Sequence, residues 1–204
     1  RGNGDDLKLY QGGDWQEIID KIPYLKNMGV TAVWISAPYA NRDTATLDFQ
    51  PSGGADRWTS FHGYHVRNYF ATNPHFGNMQ DFAELRDALH ANGIKLIIDF
   101  VSNHTSRWRN PTLNFAPEDG RLYEPDKNGT GSYAFDTNGN PIDANGDGQL
   151  ENLLADPHAD TNGWFHGLGD RGNDDSLFGF RHKELASLAD FSQENPQVVE
   201  HLEQ

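Results

Sequence analysis

Three polar residues stand directly after an apolar run in the stretch GIKLIIDFVSNH, where Asp99, Asn103 and His104 follow Ile94 to Ile98. A carboxylate, an amide and an imidazole offer acid–base work, hydrogen bonding and metal ligation. In barrels of alternating strands and helices the active site is built from the loops that follow the strands, so polar residues at that place read as functional. The alternative is that Asp99 and Asn103 only cap a turn. A second group is Phe61-His62-Gly63-Tyr64, whose aromatic and polar side chains sit in a loop that glycine keeps open. Such a loop makes a platform for stacking a sugar ring; packing is the plainer reading of the same residues. A third is Asp143, Asn145 and Asp147 followed by Gly148, which matches the first half of a calcium loop. Its twelfth position is Leu154, which has no carboxylate to give, so a polar turn competes with a metal loop there.

The elements that position these residues read as alternating helices and strands. Ile94 to Ile98, entered through Gly93, has the continuous apolar character of a strand buried on both faces, the habit of parallel sheets. Val30 to Ile35 reads as a second such strand, and a long polar loop follows from Ser36 through Asp56. Before it, Asp14 and Glu17 have N-cap spacing, and Trp15, Ile18, Ile19, Ile22, Leu25 and Met28 form one helical face that stops at Gly29. Pro23 predicts a kink or an early break in that helix. Asn78 and Asp81 open another helix, with Met79, Phe82, Leu85 and Leu89 on one face, ending at Asn92-Gly93. Helix, strand, loop, helix, strand is the order of a parallel α/β architecture. From Thr105 to about Leu185 periodicity disappears, and a stretch so long predicts a small irregular domain rather than a connection. Order returns at Leu188-Ala189-Asp190-Phe191-Ser192, and Asn195-Pro196 opens a last helix.

Composition narrows the function classes. The 204 residues carry a formal net charge of -14, which argues against a nucleic-acid partner because neutralising phosphates needs a basic surface. With 21 glycines, 10 prolines and 12% aromatics, the chain is loop-rich and unlike a helical bundle. The cysteine count of 0 excludes disulfides and thiolate metal sites. No apolar run approaches the roughly 18 residues of a membrane span, so no membrane partner is expected. The chain opens on Arg1 without a leader-like run, as a mature form or a fragment does.

In this order and spacing, LKLYQGGDWQEIIDKI, GVTAVWISAPYAN, FHGY, TNPHFG, DFVSNHTS, GRLY and ASLADFS resemble the α-amylase family of glycoside hydrolases, family 13. Within it the resemblance is to the branch of cyclodextrin glycosyltransferases and maltogenic amylases, and it covers nearly all of the chain. It implies part of a (β/α)8 TIM barrel, strands two and three with their helices, plus an irregular domain B inserted after strand three. The corresponding division is 1–104 partial barrel, 105–187 domain B and 188–204 return to the barrel.

The resemblance also implies roles. His104 hydrogen-bonds the sugar on the non-reducing side of the cleaved bond, Tyr64 stacks on that ring, and His62 touches the adjoining one. Asp99 braces an arginine near the nucleophile. Asn103, Asp190 and the backbone carbonyl of Arg181 match a shared calcium site, while Gly12 through its backbone and Asp14 match part of a second one. The implied substrate is an α-glucan or maltooligosaccharide, the cofactor Ca2+, and the location secreted. Ala186 stands where cyclising members carry a large aromatic side chain, which favours hydrolysis over cyclisation. His65 and Phe61 replace a tryptophan and a tyrosine usual in the branch.

A retaining glycosidase needs two carboxyls about 5 to 5.5 Å apart. The family takes them from after the fourth and fifth strands, and none of the 30 acidic residues here matches either. The chain is therefore expected to be a fragment of an α-amylase-type enzyme, inactive alone, with the remainder of the barrel supplied in cis or by another chain. The alternatives are an α-glucan transglycosylase such as a cyclodextrin glycosyltransferase and, in another class, a non-catalytic calcium-stabilised glucan-binding module. A barrel piece with unpaired strand edges counts against the last.

Overall fold

The structure is a computed structural model that describes residues 9–42, 46–49, 55–108, 113–114, 119–125 and 151–204. The motif Asp143-Asn145-Asp147 lies outside the described residues. Helix α1, Trp15–Asn27, starts at Asp14, whose side chain accepts from Glu17 N at 2.8 Å. Pro23 does not break it: the helix runs four residues further, to Asn27. The expected break is absent because Ile22 and Leu25, on either side of Pro23, are docked in one apolar cluster. Burying two such side chains stabilises by about 1.5–3 kcal/mol each, enough to offset the ~3 kcal/mol penalty of an interior proline. At the C-terminal end Val30 N donates to Leu25 O and Gly29 N to Lys26 O, with Gly29 at φ 78, the Schellman arrangement. The chain then enters β1, Ala32–Ile35.

Helix α2, Met79–Ala91, repeats this construction. Asn78 and Asp81 form both halves of a capping box, and Ile94 N→Leu89 O with Gly93 N→His90 O closes the far end. The strand that follows, β6, Lys95–Ile98, pairs in parallel with β1 in the register Ala32↔Lys95 to Ile35↔Ile98. Trp15, Ile22, Ile35, Leu85, Leu89 and Ile94 fill the space between the helices and this pair. The strands are not buried on both faces as their sequences suggest. Trp34 is 69% exposed and Ile97 50%, because among the described residues α1 and α2 pack on one face only.

The stretch after β1 is also more ordered than a polar loop. It contains β2, Tyr39–Asn41, β3, Thr46–Phe49, and β4, Ala55–Trp58. β2 pairs antiparallel with β5, Val66–Thr72, and β3 lies between β4 and β8, Leu113–Asn114. The long irregular region is entered through β7, His104–Arg107, and left through β11, Leu188–Asp190, which pair antiparallel with each other. Between them lie the antiparallel pair β9, Leu122–Pro125, and β10, Glu151–Ala155, and the short helix α3, Leu177–His182. Helix α4, Pro196–Leu202, begins at Asn195 with Pro196 in its first turn. Leu122, Ala155, Trp164, Phe165, Ala189, Phe191 and Val198 make a second core. That core draws on residues before, within and after β11, so the irregular stretch and the returning chain share one interior.

Candidate functional site

The end of β6 and the loop before β5 meet. Tyr64 Oη donates to Asp99 Oδ2 at 2.9 Å, and His104 Nε2 lies 3.1 Å from Tyr64 O. Tyr64 N donates to His62 Nδ1 at 2.9 Å, and the two rings are tilted with centroids 5.2 Å apart. Gly63 makes this turn possible: its φ is 84, and a Cβ there would meet Ala37 O at 2.7 Å. Behind it the buried His65 is held by Ser60 Oγ at Nδ1, 2.8 Å, and its N–H donates to Asn41 Oδ1. His62, Tyr64, Asp99, Asn103, His104 and Leu188 are among the residues lining a cleft of about 460 Å³.

Electrostatics keep the imidazoles neutral. Burial pushes His104 down to about 4, with the hydrogen bond to Tyr64 O opposing and His62 adding to the fall. Burial and then Arg107 lower His62. Burial first, then the neighbouring histidines and the guanidinium groups of Arg107 and Arg42, holds His65 well below its usual value. The hydrogen bond to Asp99, with small contributions from burial and its charge, raises Tyr64, whose hydroxyl stays protonated. The wall is thus a set of neutral donors and acceptors beside a half-exposed phenol ring and one carboxylate. It can grip hydroxyl groups and a ring face.

The ends of β7 and β11 make a second cluster. Asn103 Nδ2 donates to Asp190 Oδ1 at 2.8 Å, joining residues 87 apart, and Phe191 N donates to Asn103 O. Asp190 Oδ2 faces His166 Nδ1 at 2.7 Å. Burial raises Asp190, with His166 and Asn103 pulling the other way. In His166 burial lowers the pKa, but the hydrogen bonds to Asp190 and Glu194 outweigh it and the net shift is upward. Arg181 sits in the last turn of α3, where helix carbonyls are free of intrahelical partners. Gly12, at φ 90, and Asp14 lie elsewhere, on a groove of about 910 Å³ beside α1 and β1, and Asp14 also caps α1.

Several cleft residues carried no legible signal in the sequence. Arg107 and Leu185 line the cleft, yet one sits in a polar strand and the other in the aperiodic stretch. Between Leu185 and Leu188 the chain turns through Ala186 and Ser187, both at positive φ (53 and 62). Ser187 N donates to Asp170 Oδ2 at 2.6 Å and Leu188 N to Leu185 O, which holds a conformation costly for residues with a Cβ. His166, His182 and Glu194 were likewise unmarked; an imidazole at each end of a glycine-rich stretch is their only trace.

A parallel strand–helix frame with a polar cleft at the strand ends is an α/β architecture of the kind that builds sites after its strands. The chain belongs to the alpha-amylase family: residues 1–204 match its catalytic domain. Cyclomaltodextrin glucanotransferase of Niallia circulans is 41% identical over 196 residues, covering 95% of this chain and 23% of the relative. An alpha-amylase from the same organism is 39% identical over 196 residues, covering 95% of this chain and 31% of the relative. The crystal structure of CldA, a cyclomaltodextrin glucanotransferase with a three-domain ABC distribution, superposes with a TM-score of 0.71 at 33% identity, covering 95% of this chain and 33% of that one. The family is one of enzymes, and the chain spans a third or less of the length of these relatives.

Proposed function

We propose that this chain forms the sugar-gripping wall of an α-amylase-type active site that hydrolyses α-1,4-glucosidic bonds in starch or maltooligosaccharides with retention. The observation that carries the reading is the single cleft in which Tyr64, His62, His104 and Asp99 meet. Tyr64 offers its ring to a glucose face, and Asp99 fixes that ring through the phenol. Neutral His104 and His62 hydrogen-bond hydroxyls without competing for a proton. The two carboxyls of double displacement come from residues outside these 204, so the isolated chain binds glucan and does not cut it. Residues 1–104 and 188–204 then belong to the (β/α)8 barrel and 105–187 to its domain B.

Hydrolysis is favoured over cyclisation by Ala186, a methyl group on the turn beside the cleft in place of the large aromatic side chain around which a glucan would wrap. The relatives are named for both activities, which supports glucosidic-bond processing and leaves Ala186 to favour one. For calcium the donor chemistry fits: the Asn103 amide and the Asp190 carboxylate meet at one place, and terminal carbonyls of α3 include that of Arg181. The Asn103 amide must turn to present Oδ1, because Nδ2 now faces Asp190. Gly12 and Asp14 make a weaker second candidate. A secreted parent enzyme accords with calcium use.

The test is calorimetric titration of the purified chain with maltoheptaose. Binding that weakens at least about tenfold in Tyr64→Ala, with no release of reducing sugar from starch, supports the reading. Hydrolysis by the chain at its own mass would refute the assignment of the carboxyls, and absence of binding would refute the cleft.

A further inference from the structure

Beside the proposed calcium ligands lies a cluster with different donors. His166 Nε2 is 2.9 Å from Glu194 Oε2 and 3.4 Å from His182 Nδ1, and His182 Nδ1 is 3.6 Å from Glu194 Oε1. One ligand atom from each of the three residues lies within 4.8 Å of the other two. A tetrahedral ion with bonds of 2.0–2.1 Å spaces its ligand atoms roughly 3.3 Å apart, a spacing that the three groups reach by a small inward movement of their side chains. Two imidazoles and a carboxylate suit a borderline ion of the zinc type, whereas calcium takes six to eight oxygens.

The surroundings favour a built site. His166 is only 9% exposed at its side chain, and its other ring nitrogen, Nδ1, is hydrogen-bonded to the buried Asp190 carboxylate at 2.7 Å. A carboxylate on the far nitrogen of a ligand histidine fixes ring orientation and strengthens the ligand. The three ligands come from separate pieces of chain: His166 next to the Phe165↔Phe191 bridge, His182 in the last turn of α3, and Glu194 just before the N-cap of α4. An ion there would tie α3 to the start of α4 and leave its fourth position open to water on the exposed Glu194 side.

The geometry points to a binding site for a divalent transition-metal ion at His166 Nε2, His182 Nδ1 and the Glu194 carboxylate, distinct from the calcium ligands and independent of the glucan reading. Asp190 serves both, one oxygen toward Asn103 and the other toward His166. The experiment is titration of the purified chain with cobalt(II) and then zinc in millimolar calcium. Expected is a one-equivalent rise of the intense visible bands of tetrahedral cobalt, abolished by zinc and unaffected by calcium. His182→Ala and Glu194→Gln should each weaken binding at least about tenfold, while His90→Ala on α2 leaves it unchanged. Both weakening substitutions are at partly exposed side chains, and unchanged circular dichroism confirms that the variants are folded. A pale octahedral spectrum, displacement by calcium, or equal affinity in His182→Ala would overturn the site, and maltoheptaose binding in the same samples is unaffected either way.

Discussion

The helix–strand repeats and the region between β7 and β11 are held together by different forces. In the first, α1 and α2 lay aliphatic and aromatic side chains on one face of β1 and β6, and their charged groups stay in water. In the second, a small apolar core is surrounded by paired polar groups drawn from distant positions. Buried Arg42 grips Asp119 through two hydrogen bonds, one of them Nη2 to Oδ2 at 2.7 Å, across 77 residues. Arg121 pairs with Asp156, Lys183 with Asp174, and Asp190 with both Asn103 and His166. Apolar burial does not depend on protonation; paired charge does. A domain with few aliphatic residues can therefore still be specified, at the price of a stability that depends on pH.

Unfolding of the two regions together, as one unit, would break this comparison. The largest effect is expected from Asp119→Ala, which removes the carboxylate gripped by the buried Arg42 and should cost about 3–5 kcal/mol. Proteolysis within 105–187 should rise in that variant while the helical dichroism of α1 and α2 is largely kept. Leu89→Ala, fully buried between the helices, should cost about 2–5 kcal/mol in urea denaturation and show little response to salt.

Acidification sharpens the contrast. His104 has a folded value of about 4 against an ordinary 6.5, so between those values the unfolded chain binds a proton that the folded chain does not. Stability from this group is present above pH 6.5 and is lost as the pH falls to 4, on the order of 3 kcal/mol. His166 is shifted upward, and its contribution is present below the ordinary histidine value and lost as the pH rises through the folded one. Melting temperature against pH should therefore fall less steeply on the acid side for His104→Gln and less steeply on the alkaline side for His166→Gln. The smallest effect is Asn78→Ala, which removes the capping box of α2 and should cost about 1 kcal/mol, read as a lower melting temperature without loss of glucan binding.

How far the sequence could be read follows the same division. The helices, their glycine stops and the strands ending in Asp99 and Ser36 announce themselves through apolar periodicity and cap residues, and the polar residues after β6 line the cleft as their placement suggests. Strand β5 went unread because Arg67 and Asn68 lie buried in it, and β7, His-Thr-Ser-Arg, has no apolar face at all. Pairings such as Arg42 with Asp119 or Asp190 with His166 leave no local period. They depend on which distant carboxylate arrives, and a single sequence does not record that. The exposed side of Trp34 and Ile97 was misread because aliphatic content states that a strand can be buried, not how many layers cover it.

The pairing of β7 with β11 carries one more consequence. Because these two short strands clasp each other directly, everything between Arg107 and Leu188 is a loop closed at its base. The entropy of closing a loop grows only with the logarithm of its length, so doubling that length costs about 0.6 kcal/mol. Extra length outside the segment's core and buried pairs therefore meets little entropic resistance, while the cleft residues His104 and Leu188, fixed at the clasp itself, keep their positions. The clasp lets the segment lengthen without displacing the cleft residues at its base.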